Sequence, residues 1–93
     1  MATQYVVVLT ALLQQIDTFR RGDLSLDALK SAIWETARQL SSHEERALRE
    51  ALQQAEGRLD MIQFTVEDRI VRVEALKIVD TIETWVKAVV ALP

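Results

Sequence analysis

The reading of the fold turns on Thr65-Val66-Glu67-Asp68-Arg69-Ile70-Val71-Arg72-Val73-Glu74-Ala75-Leu76-Lys77-Ile78-Val79-Asp80-Thr81-Ile82-Glu83-Thr84-Trp85-Val86-Lys87-Ala88-Val89-Val90-Ala91. Val71, Ala75, Ile78, Val79, Ile82, Trp85, Val86 and Val89 return every three or four residues. They therefore share a broad arc of a helix with 3.6 residues per turn. No Gly or Pro interrupts the run. Thr65-Val66-Glu67-Asp68 reads as its capped start, with an acid in the first turn. At about 25 residues the helix would be roughly 37 Å long. It is expected to be the longest element and the central one.

Three shorter segments precede it. From Thr3 to Arg20, the side chains Val8, Leu9, Leu12, Leu13, Ile16 and Phe19 fall on one arc. Arg20 and Arg21 oppose the negative end of that helix, and Gly22 supplies the left-handed residue that ends it. Val6-Val7-Val8 is β-branched, which leaves a short strand or a frayed start as the alternative there. The second helix opens after Asp23 or Ser25, both good N-caps, and carries Leu26, Leu29, Ile33, Ala37 and Leu40 as its stripe. The third opens on Ser42-His43-Glu44-Glu45, a capping-box pattern, and lines up Leu48, Ala51, Leu52, Ala55, Leu59 and Ile62. Connections this short make neighbours antiparallel. The expected fold is all-α: an antiparallel up-down four-helix bundle with a long C-terminal helix, in one domain spanning residues 1–93.

Composition narrows the function. The 93 residues carry a net charge of −3 and no cysteine. A duplex nucleic-acid binder needs a basic face, so nucleic acid is not expected as a partner. Without Cys there is no disulfide frame or thiolate nucleophile. A single histidine, His43, rules out multi-His metal designs within one chain. Its place in a helix cap reads as a solvated first-turn residue. No Walker loop, dinucleotide fingerprint, HExxH, EF-hand loop or nucleophile elbow is present. The expectation is a non-enzymatic protein with no cofactor and no metal. The apolar runs Tyr5–Leu13 and Lys87–Pro93 are too short to span a bilayer and lack a basic leader, so no membrane is expected and the cytoplasm is the expected compartment.

Two features remain for binding. Residues 43–68 hold seven acids against three arginines, a local charge of −4. Glu45 with Arg49 and Arg46 with Glu50 are favourable i,i+4 pairs. Glu56 and Asp60 are like charges four apart with no local benefit, and Glu67 and Asp68 follow closely. These four are the candidate partner-binding residues; a solvated acidic face is the plainer alternative. Ile70, Val73 and Leu76 lie off the main arc of the last helix. Either the other helices cover them, or they form a patch through which the chain pairs as a homodimer. Trp34 and Trp85 are expected in or at the edge of the core. The short basic pairs Arg20-Arg21 and Arg69/Arg72 read as helix-end and solvated-face charges.

Two stretches resemble small bacterial immunity proteins of the colicin D type. Phe19-Arg20-Arg21-Gly22-Asp23-Leu24-Ser25-Leu26-Asp27-Ala28-Leu29 looks like the family's first interhelical turn. Phe64-Thr65-Val66-Glu67-Asp68, leading into Val73-Glu74-Ala75-Leu76-Lys77-Ile78-Val79, looks like the acidic opening of its last helix. The resemblance implies a four-helix bundle that inhibits a basic toxin, a ribonuclease, by presenting acids to its positive cleft. Glu67 and Asp68 would be the matching acids, with Glu56 and Asp60 as neighbours.

Overall fold

A computed structural model of the chain describes residues 3–40, 45–65 and 67–90. Ser42, His43 and Glu44 of the capping-box pattern, Val66 and Ala91 lie outside the described residues. Four helices make up the fold: α1 (Thr3–Arg20), α2 (Leu26–Gln39), α3 (Arg46–Thr65) and α4 (Asp68–Val90). The architecture is the expected all-α, up-down bundle, 42 × 23 × 18 Å in extent.

Local chemistry sets the first turn. Gly22 has φ +86°, the left-handed conformation that costs an L-residue most and glycine least. The Gly22 amide donates to the Phe19 carbonyl and the Asp23 amide to the Thr18 carbonyl, both at 3.0 Å. That pair of bonds closes the end of α1 as a Schellman motif. Three residues on, the Ser25 hydroxyl accepts the Ala28 amide at 3.1 Å and caps α2. The β-branched run at Val6-Val7-Val8 is helical throughout, because Tyr5, Leu9 and Leu12 on the same helix are anchored in the core.

The core is the meeting of the four stripes. Leu9, Leu12, Ile16 and Phe19 of α1 meet Leu29, Ile33 and Ala37 of α2, Leu48, Leu52 and Leu59 of α3, and Ala75, Val79, Ile82 and Val86 of α4. Thr36 is the one buried polar side chain among the described residues, and its hydroxyl donates to the Ala32 carbonyl at 2.8 Å.

Two expectations need correction. First, α4 is the longest helix, at 23 residues, but it is not central. The helices form a ring in which α1 and α3 each pack on α2 and α4, and no diagonal pair packs closely among the described residues. One side of α4 therefore faces solvent. Second, Thr65 does not cap α4. It is the last residue of α3, its hydroxyl bonded back to the Met61 carbonyl at 2.8 Å. The Glu67 carbonyl instead accepts the first amides of α4, from Ile70 at 2.8 Å and Val71 at 3.1 Å. Both tryptophans are about half exposed, Trp34 at 50% and Trp85 at 45%, and Trp85 takes the expected place at the edge of the core, beside Leu52, Ile78 and Ile82.

Candidate functional surface at the α3–α4 corner

Only two positions of the chain separate the end of α3 from the start of α4. This brings the last turns of α3 beside the first turns of α4, and both present apolar side chains to solvent. Met61 is 62% exposed and Phe64 78% on α3; Val73 is 53% exposed and Ile70 39% on α4. Four of the seven large apolar residues that are exposed among the described residues thus lie within thirteen positions of one another. Leu76 separates from this group. It packs, half-buried, against the core, because each i+3 step rotates the position by about 60° around an ideal helix. Ile70, Val73 and Leu76 are therefore not one face.

The acids take different environments. Asp60 accepts a hydrogen bond from Lys30 Nζ of α2 at 2.8 Å. The same ammonium donates to Gln63 Oε1 at 2.6 Å and lies 3.6 Å from Asp27, whose carboxylate accepts from Gln63 Nε2 at 3.1 Å. Asp60 thus has a clear local benefit, contrary to the helix-only reading: it ties α3 to α2. Its hydrogen bond, with the charges of Asp60 and Asp27, raises the Lys30 pKa above the ordinary lysine value against the opposing effect of burial. Lys30 Nζ also lies 6.0 Å from the centre of the Phe64 ring. Glu67 pairs with Arg69 at 2.9 Å. Glu56 and Asp68 have no cationic partner among the described residues. Asp68 stands at the rim of a shallow depression shared with Phe19, Leu26 and Arg72. Glu56 is half-buried one turn before Asp60.

The four acids therefore do not converge on a point. Among the described residues no group of three or more His, Cys, Asp or Glu side chains is placed to hold a metal ion. No described helix is long and apolar enough to cross a membrane. What the corner offers is four exposed apolar side chains on the adjoining ends of α3 and α4, with Asp60, Glu67 and Asp68 at neighbouring positions in the chain.

Sequence reasoning missed Met61, Phe64 and Lys30. The first two were legible: Met61 lies across the α3 wheel from Leu52 and Leu59, and Phe64 falls beyond the stripe that ends at Ile62. Lys30 was not, because its partners are on another helix. Arg20 lies in the last turn of α1, as expected, and also reaches across to another helix. It bonds Glu83 at 2.7 Å and also Asp80, both on α4. Arg46 meets Glu50 at 3.2 Å as expected, whereas Arg49 reaches the Leu40 carbonyl at the end of α2, at 2.9 Å.

No protein-family model, curated protein or solved structure matches the chain.

Proposed function

We propose that this protein is a non-enzymatic binding module that grips a basic protein partner through the α3–α4 corner, in the manner of an immunity-like or antitoxin-like inhibitor of a nuclease. One observation carries the reading: Met61, Phe64, Ile70 and Val73 are all exposed on the adjoining ends of α3 and α4, the stretch of chain that also carries Asp60, Glu67 and Asp68. Large exposed apolar side chains cost solubility unless something covers them. Acids at the rim would steer a positively charged surface onto them, and the aromatic ring of Phe64 would supply the desolvated anchor. The resemblance of the Phe64–Asp68 stretch to immunity proteins points the same way. The test is co-expression of the tagged chain with the product of each adjacent gene. A basic protein that co-purifies with the parent, and not with Phe64→Ser, supports the reading. Equal recovery with both, or no co-purifying protein, counts against it.

A second reading uses the same exposed Ile70 and Val73 for pairing between two copies of α4, as a structural or regulatory homodimer. Light scattering at high concentration separates the two. A 10.6 kDa particle excludes the pair.

A further inference from the structure

A second surface lies on the outer side of the α3–α4 seam. There the two helices part enough to leave an open cleft of about 160 Å³. Leu52, Ala55, Ile78 and Ile82 form its floor and Trp85 one wall. Ala55 and Ile78 are among the least covered of the core side chains, so the cleft reaches the core itself. Its volume decides what it can hold. Sites for metabolites and cofactors run from about 300 to 1,000 Å³. A cavity of roughly 150 Å³ takes one benzene ring. The cleft therefore has room for one large apolar side chain.

The cleft continues along the helices. Arg58 and Ile78 line both it and the next depression, which Met61, Glu74 and Lys77 share; there Glu74 and Lys77 pair with each other at 2.9 Å. From Leu48 to Met61 the groove runs about 20 Å, the length of roughly four helical turns. In its middle stands Arg58. Among the described residues every other Lys and Arg meets a carboxylate or a main-chain carbonyl. Arg58 meets neither.

We infer that this groove is a docking site for an amphipathic helix of a partner protein, one whose apolar face seats a large side chain in the cleft and whose flanking Asp or Glu pairs with Arg58. Helix-in-groove binding uses apolar anchors at i, i+4 and i+7, which matches an elongated seam with a single deep point. An unpaired guanidinium beside that point selects a carboxylate and disfavours a basic helix. The groove meets the acidic corner at Met61, but its deep point, beside Trp85 and Arg58, lies outside that corner.

The probe is a capped Ala/Gln helix of about sixteen residues, with Leu at its fourth, eighth and eleventh positions and Glu at the seventh. A companion peptide carries Gln in place of that Glu. Binding is read from Trp85 fluorescence in a Trp34→Phe background. The Glu peptide is expected to bind about fivefold tighter than the Gln peptide, the scale of an exposed ion pair. Arg58→Gln should erase that difference. Gln54→Phe, which crowds the mouth of the cleft, should weaken both peptides at least about tenfold. Asp60→Lys/Glu67→Lys should change neither, which separates this site from the corner. No saturable signal up to about 1 mM peptide, or the same Glu preference in Arg58→Gln, overturns the inference.

Discussion

Arg72 of α4 closes the end of α1 through Phe19: its Nη2 donates to the Phe19 carbonyl at 2.9 Å, and its guanidinium carbon lies 5.0 Å from the centre of the Phe19 ring. The same nitrogen donates to the Arg20 carbonyl at 2.8 Å. A helix C-terminus leaves carbonyls without partners and carries partial negative charge, so a cation there is favourable twice over. Arg72→Met keeps the length of the side chain and removes both effects. It should destabilise the bundle by about 1–2 kcal/mol in urea unfolding. Arg72→Lys should fall between parent and Met, because an ammonium keeps the charge but not the planar fork.

Acid should loosen the α1–α4 seam at Arg20. The hydrogen bond from Arg20 to Glu83, with the charges of Arg20 and Lys87, holds the Glu83 carboxyl below its ordinary value of 4.5, against the pull of burial. The folded state therefore binds fewer protons than the unfolded one. The contribution is present above the unfolded pKa and is lost as pH falls through the folded one. Melting temperature should drop between about pH 5 and pH 3, and Glu83→Gln should make that drop shallower. An unchanged slope in the variant would assign the acid sensitivity to other carboxylates.

The two glycines should respond oppositely to alanine. Neither has an atom within 4 Å of where a Cβ would sit, so space does not distinguish them. Backbone conformation does. Gly22 has φ +86°, and Gly22→Ala should cost about 1–2 kcal/mol. Gly57 is exposed inside α3, and Gly57→Ala should add about 0.5–1 kcal/mol. Paired urea titrations check both signs.

Lys30 and Asp60 should be energetically coupled across the α2–α3 seam. A cycle of Lys30→Met, Asp60→Asn and the double variant should give about 0.5–1 kcal/mol of interaction. A value near zero would return Asp60 to the status of a solvated acid.

Much of the bundle was legible before any coordinates. The stripes Leu29-Ile33-Ala37 and Leu52-Ala55-Leu59 needed only periodicity, and Gly22 and Ser25 announced the first turn by their chemistry. The arrangement of the helices was less legible, because periodicity says which face of a helix is apolar and not which neighbour covers it. Hence α4 was expected at the centre, and Ile70, Val73 and Leu76 were grouped as one face. Side chains that act between helices were invisible for the same reason. Lys30 to Asp60, Arg20 to Glu83 and Arg72 to Phe19 join positions thirty or more residues apart. The local i,i+4 rule sees none of them. The acidic corner was half legible: its carboxylates stood out by charge, while Met61 and Phe64 were passed over.

The most direct test of the proposal takes a basic protein that co-purifies with the chain and measures its binding kinetics against three forms of the chain. Charge reversal at Glu67→Lys/Asp68→Lys should slow association and flatten its salt dependence, since rim charges steer encounter. Phe64→Ser should leave association nearly unchanged and speed dissociation by at least about tenfold, as loss of a buried aromatic anchor does. Rates for both variants that match the parent would show that the α3–α4 corner does not grip the partner.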